Sequence, residues 1–153
     1  MRRVLVTGAE GFIGKNLRLA LGRESGTEII GVDLGTAAAV LERGLDEADA
    51  VIHLAGVNRP DTEKEFEDGN VGSLATVLSG LERRGRRPLV VLSSSIQALL
   101  DNPYGRSKKR AEDVLLDFHR RTGAAVQIFR LPGVFGKWCR PNYNSVVATF
   151  CHN

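Results

Sequence analysis

Cysteine is nearly missing from this chain: 153 residues contain two, Cys139 and Cys151. Neither has metal-like spacing to a histidine, so a disulfide scaffold and a zinc ribbon are both excluded, and a reduced, cytoplasmic thiol pair is expected. No apolar run approaches the length that spans a bilayer, and the charged start Met1-Arg2-Arg3 leads into a strand pattern instead of a secretory leader, so no membrane partner is expected. Charge of one sign is also missing. The net charge of +3 comes from clusters (Arg83, Arg84, Arg86, Arg87; Lys108, Lys109, Arg110) that alternate with Glu82 and Glu112. Such clusters read as solvated helix ends, and nucleic acid is not an expected partner. There is no internal repeat and no low-complexity linker. With 42% hydrophobic residues the chain can bury one ordinary core, which predicts a single domain over residues 1–153.

What is present begins at once. Val4 to Val6 forms an apolar run of strand length, followed by Gly8, Gly11 and Gly14 at the spacing G-x-x-G-x-x-G, then by apolar residues at helical period (Ile13, Leu17, Leu21). Gly8 supplies the backbone angles of a tight turn, Gly11 lets the main chain approach a pyrophosphate, and Gly14 permits close packing of helix on strand. The helix start aims free N–H groups and a positive dipole end at phosphates. This arrangement predicts dinucleotide binding over a plain structural turn. Glu28 to Asp33 reads as the second strand, and Asp33 lies where a carboxylate would accept hydrogen bonds from an adenosine ribose; the alternative is a strand-end cap.

Further along, 36–48 reads as a helix and Ala50 to Gly56 as a buried strand. Only one helix separates these two strands, so the sheet is expected to be one strand short on that side. His53, within the apolar strand, reads as a satisfied core histidine. A turn at 57–61 and a short exposed acidic helix ending at Asp68 precede a helix from Asn70 to Arg84, stopped by Gly85. Pro88 to Ser95 is the fourth strand and opens into hydroxyls. Asp101-Asn102-Pro103 starts a helix that runs to about Arg121, before Gly123. Ala125 to Leu131 is the fifth strand. Alternating strands and helices predict an α/β fold, a Rossmann-like doubly wound parallel sheet covered on both faces.

Tyr104 and Lys108 are four apart on the fifth predicted helix and share a face. An ammonium beside a phenol favours phenolate, which predicts a lowered Tyr104 pKa and a tyrosine able to exchange the proton of a carbonyl/alcohol pair. Ser95 or Ser94, at the open end of the preceding strand, would hydrogen-bond the same oxygen. Tyr-x-x-x-Lys alone is common by chance; in order with the glycine turn and the strand-end serines it is specific.

These residues, together with His53-Leu54-Ala55-Gly56, Asn70 with Gly72-Ser73, and Arg130 through Gly136, resemble the extended short-chain dehydrogenase/reductases, the NAD-dependent epimerase/dehydratase group. A narrower resemblance, carried by 53–60, Ser93 to Ala98, Asp101 to Gly105 and Phe135 to Ser145, is to the capsular-polysaccharide and O-antigen reductases. It implies 4-keto reduction of a UDP-linked 2-acetamido-2,6-dideoxy hexose on the way to UDP-N-acetyl-L-fucosamine. Such enzymes also carry a substrate-binding region and a carboxyl-terminal zinc cupin, so the chain is expected to be the amino-terminal part of a longer protein.

The resemblance implies Tyr104 as acid, Lys108 as ribose anchor, Ser95 (favoured over Ser94) as ligand of the substrate oxygen, and Asn70 as support for the lysine or a proton relay. It extends the cofactor set of Gly8, Gly11, Gly14 and Asp33 to Thr7, Phe12, Ile13, Leu54, Ala55, Gly56, Ser93 and Leu131. Arg59, Asn142, Tyr143 and Asn144 are expected to face the UDP-sugar, and no metal is expected. The cofactor is NAD or NADP. Asp33 followed by Leu34 lacks a base for a 2′-phosphate and favours NAD, whereas the resembled reductases favour NADPH. An epimerase or dehydratase with retained NAD, or a non-catalytic NAD-binding module, are the alternative readings. Apolar surface predicts a homo-oligomer.

Overall fold

A computed structural model of the chain describes residues 1–152. Five strands, β1 (Arg2–Thr7), β2 (Thr27–Val32), β3 (Ala50–His53), β4 (Leu89–Ser95) and β5 (Val126–Leu131), form one parallel sheet in the order β2-β1-β3-β4-β5. Between them run α1 (Phe12–Leu21), α2 (Ala38–Glu47), α3 (Glu63–Phe66), α4 (Ser73–Arg83) and α5 (Pro103–Thr122), and α6 (Val146–Phe150) follows β5. β2 is an edge strand, as a single helix between it and β3 requires. Strand order reverses between β1 and β3, and a crevice opens at their carboxyl ends.

One face of the sheet carries most of the core. Leu5, Ile30, Val51, Val90 and Leu92 meet Leu45 of α2, Leu74, Leu78 and Leu81 of α4, and Leu115 and Phe118 of α5. Each such side chain contributes about 1.5–3 kcal/mol by leaving water. On the other face Val4, Val6 and Ala9 pack against Leu17 and Leu21 of α1. The expectation of full cover on both faces does not hold there: α1 reaches only the β1–β2 side. On β5, Ile128 packs into the main core while its neighbour Phe129, pointing oppositely, is 52% exposed.

Two expected helices are in fact one helical stretch. α3 runs into a wide π turn (Glu67–Gly72) and on into α4 without a break, because the backbone stays helical through Gly72. The wide turn presses Gly69 onto Val57, where an added Cβ would lie 2.4 Å from Val57 Cγ2, and turns Asn70 inward. α5 starts as expected: Asn102 Oδ1 accepts the Gly105 N–H at 2.8 Å, Pro103 opens the first turn, and Gly123 ends the helix at φ 74°. Gly105 is needed for docking. A Cβ there would stand 2.2 Å from the Gln97 carbonyl oxygen and 2.5 Å from that of Leu100.

His53 is a core histidine, and its bonds run in one direction. The Ala55 N–H donates to Thr7 Oγ1 (3.4 Å), and that hydroxyl donates to His53 Nδ1 (2.8 Å). His53 Nε2 faces Ser73 Oγ at 3.3 Å, and the Ser73 hydroxyl donates to the Gly69 carbonyl at 2.6 Å. Ser73 has spent its proton, so His53 must carry its own on Nε2. Burial, with the Lys108 charge as a smaller cause, pulls the imidazole down to about 3.

Two outcomes follow from this packing. Gly105→Ala is expected to lose about 1–3 kcal/mol in denaturant unfolding, whereas Gly133→Ala, with open space at its Cβ, should stay within about 0.5 kcal/mol of the parent. Between about pH 6.5 and 3 the unfolded chain protonates His53 while the folded chain does not. Stability should therefore rise with pH across that window, by an amount on the order of 4 kcal/mol, and His53→Gln should flatten that part of a pH series of unfolding curves.

Candidate functional site

The glycine turn is built by contact. A Cβ on Gly14 would lie 2.2 Å from the Gly8 carbonyl oxygen, and one on Gly8 would lie 2.7 Å from the Ala55 nitrogen, so β1, α1 and the end of β3 meet backbone to backbone. Gly8 sits at φ 68°. No side chain caps the start of α1, leaving its first N–H groups free. This cradle suits a pyrophosphate. Phe12 and Ile13 form the first turn of α1; Leu54 and Ala55, both half-buried, continue the floor. Thr7, in contrast, is buried with its hydroxyl committed to His53 and Ala55, so it shapes the cradle from beneath.

Asp33 stands beside the turn. Its Oδ2 accepts the Glu10 N–H at 2.8 Å and its Oδ1 accepts the Leu34 N–H at 2.8 Å. The carboxylate caps local backbone, as the strand-end alternative expects, and lies where β2 opens onto the glycine turn. The Glu10 contact has no sequence signature, because it depends on β2 pairing with β1 from Thr7↔Val32 inward.

Lys108 lies under the crevice, 7% exposed. Its Nζ donates to the Ser93 carbonyl at 3.3 Å and would stand 3.2 Å from a Cβ on Gly56. Burial drives the ammonium down from its ordinary value to about 8. It does not sit at the phenol. Nζ is 5.8 Å from the Tyr104 ring centroid, so the expected lowering of the phenol is overturned. Burial raises Tyr104 above its ordinary value, and the facing Ser95 hydroxyl offsets only part of that rise. Phe66 covers the ring, with centroids 5.7 Å apart.

The two serines part in direction. Ser94 turns inward and donates to Glu112 Oε1 at 2.5 Å. Arg130 of β5 holds the same carboxylate through Nε (2.9 Å) and a terminal nitrogen (2.7 Å). Burial works to raise Glu112, but the bonds from Arg130 and Ser94 outweigh it and hold the carboxyl below its usual range. Ser95 is left to face Tyr104, its Oγ also accepting the Gln97 N–H at 3.2 Å. The sequence reading missed Glu112, although it stands one helical turn beyond Lys108 on the same face.

Asn70 departs from its expected contact. It is buried, and its amide bonds both backbone groups of Val57 (2.9 and 3.1 Å) and the Ser107 hydroxyl (2.9 Å), with no bond to Lys108. It lies close by, since a Cβ on Gly56 would touch both groups. Leu131 ends β5, and the loop after it returns to α1: Asn16 Nδ2 donates to the Lys137 carbonyl at 2.8 Å, and Gly136 faces the Phe12 ring. Arg59 stacks on Tyr143 with its guanidinium carbon 5.1 Å from the ring centroid; Asn142 and Asn144 flank it, exposed. Among the described residues no cluster of histidine, cysteine or carboxylate side chains could hold a metal ion, and no helix is long and apolar enough to cross a membrane.

The chain is similar to several known proteins. Over 151 residues, 99% of the chain, it is 46% identical to the UDP-2-acetamido-2,6-beta-L-arabino-hexul-4-ose reductase of Pseudomonas aeruginosa, covering 41% of that protein. The structure of the capsular polysaccharide assembling protein CapF from Staphylococcus aureus matches with TM-score 0.85 and 46% identity, over 98% of this chain and 39% of that one. MoeE5 in complex with UDP-glucose and NAD matches with TM-score 0.75 and 28% identity, over 92% of this chain and 57% of that one. The chain thus spans about two fifths of the length of the first two. The model of the NAD dependent epimerase/dehydratase family matches residues 4–153. With its glycine cradle, parallel sheet and Tyr104–Lys108 helix all lying inside that match, the chain belongs to the NAD dependent epimerase/dehydratase family.

Proposed function

We propose that the protein to which this chain belongs is an NAD(P)H-dependent reductase of a UDP-linked 4-keto-6-deoxy amino sugar, working in the cytoplasm on the way to capsule or O-antigen. The observation that carries this reading is the buried Lys108 ammonium. It has three donors and one carbonyl acceptor, under the crevice beside Gly56, with its nitrogen 5.8 Å from the Tyr104 ring centroid. A buried cation short of acceptors calls for hydroxyls, and a nicotinamide ribose offers two. The reductase relative at 46% identity supports the substrate class.

In this reading the cradle at Gly8, Gly11 and Gly14 takes the pyrophosphate, Asp33 the adenosine ribose, and Lys108 the second ribose. A bound reduced nicotinamide supplies the hydride. Ser95 and Tyr104 hold the substrate carbonyl oxygen, and Tyr104 gives it a proton as the carbonyl carbon becomes an alcohol carbon. The raised phenol suits that direction: it keeps its proton near neutral pH and yields it only to the strong base that forms on the substrate. Asn70 acts through Val57 and Ser107, holding the crossing after β3 against α5. Arg59, Asn142, Tyr143 and Asn144 are assigned to the UDP-sugar side. Phe135, Val146 and Phe150, exposed beyond β5, support cover by further polypeptide, including a second subunit.

Tyr104→Phe in the full-length protein is expected to retain NADH binding and to lose at least about 10²-fold in turnover, read as NAD(P)H oxidation with a UDP-linked 4-keto sugar. Parent-like turnover in that variant would remove Tyr104 from the chemistry, and substrate conversion without net NAD(P)H oxidation would replace the reductase with an epimerase or dehydratase.

A further inference from the structure

Where β2 ends beside the glycine turn lie three charged residues, Asp33, Glu10 and Arg18. Asp33 is fixed there, both carboxylate oxygens being held by backbone N–H groups, one of them that of Glu10. It cannot swing aside without breaking those bonds. Glu10 directs its own carboxylate to Arg18 of α1, and the two form an ion pair. The Arg18 guanidinium lies across Gly31, where an added Cβ would be 3.7 Å from Nε and 3.8 Å from Cζ. Gly31 and Asp33 are two apart, and so on the same side of the chain as β2 ends. A cation therefore stands at the rim of the adenosine pocket, already engaged by a carboxylate from the glycine turn.

We propose that Glu10 sets the choice of dinucleotide by masking Arg18. Paired with Glu10, the guanidinium is unavailable to a 2′-phosphate, and the Asp33 charge stands unopposed, so the site takes the cofactor whose 2′-hydroxyl is free. Without Glu10, the same guanidinium becomes a planar fork of donors suited to phosphate oxygens. Asp33 alone would disfavour the phosphorylated cofactor by repulsion. The Glu10–Arg18 pair makes the preference depend on a residue of the glycine turn, and predicts that neutralising Asp33 alone leaves Arg18 masked. This inference rests on the dinucleotide reading of the cradle.

The test is calorimetric titration of NADH and NADPH into the full-length protein and three variants, Asp33→Asn, Glu10→Gln and Glu10→Gln/Arg18→Met. Glu10 and Arg18 are 60% and 40% exposed in their side chains, so the fold should tolerate the changes, and a thermal melt checks it. The parent should bind NADH more tightly than NADPH. Glu10→Gln should raise the NADPH-to-NADH affinity ratio by at least about tenfold, the scale of one hydrogen bond to a charged group. Adding Arg18→Met should remove that gain, and Asp33→Asn should give a smaller one. An unchanged ratio in Glu10→Gln, or a gain that survives loss of Arg18, would overturn the masking proposal while NADH binding by the parent still upheld the dinucleotide reading. A parent that binds neither nucleotide would overturn both.

Discussion

A buried ammonium with too few acceptors governs the geometry of this chain. Lys108 reaches its place only because α5 packs closely on β4, and it is taken out of water there with the Ser93 carbonyl as its sole hydrogen-bond partner among the described residues. The cost appears as an ordinary lysine drawn down to about 8. Below that value the folded chain carries a charge that its surroundings do not repay. As pH rises from about 8 to the ordinary lysine value, the unfolded chain alone keeps the proton, and the penalty is progressively relieved. A structure holds such a group only when other contacts over-determine it. Those contacts are the Ser94–Glu112–Arg130 cluster, which fastens α5 to β4 and β5, and the close seat of Gly105 on the turn before α5.

Much of this was readable from residue order, for a physical reason. The glycine turn, the five strands and the start of α5 are local: each depends on backbone freedom, apolar period or capping within a few residues. What escaped reading depends on distance in space. The phenol was expected to feel the ammonium because the two are four apart on a helix, but helical spacing does not say which way a long side chain turns, and Lys108 turns to β4. Residue order alone leaves Ser94 and Ser95 open, and only the family resemblance favours Ser95; strand alternation sends Ser94 to Glu112 and leaves Ser95 facing Tyr104. The π turn at Glu67–Gly72 replaces an expected break, since it depends on Gly69 packing closely on Val57, a contact across the fold, and on the inward turn of Asn70. Incomplete cover of the second sheet face, visible at Phe129, has only a faint signal in β5, where the polar Gln127 shares a side of the strand with the apolar Phe129 and Leu131.

The two sides of the crevice differ in how firmly they are held, which bears on how chemistry and specificity divide between them. The floor is made of strand ends joined by backbone contact and by the directional chain from Ala55 to Gly69, each link buried or nearly so. The facing loop after β5 touches the rest through Asn16 on Lys137, Gly136 against Phe12, and Arg59 on Tyr143. An exposed cation–π contact of that last kind is worth about 0.5–1 kcal/mol. Within the same loop Trp138 and Asn142 take positive φ, at 67° and 56°, which asparagine tolerates and tryptophan does not without strain. A rigid floor suits groups whose work depends on tenths of an ångström, such as Tyr104, Ser95 and Lys108. A lightly held wall would suit the sugar-facing role proposed for Arg59, Asn142, Tyr143 and Asn144.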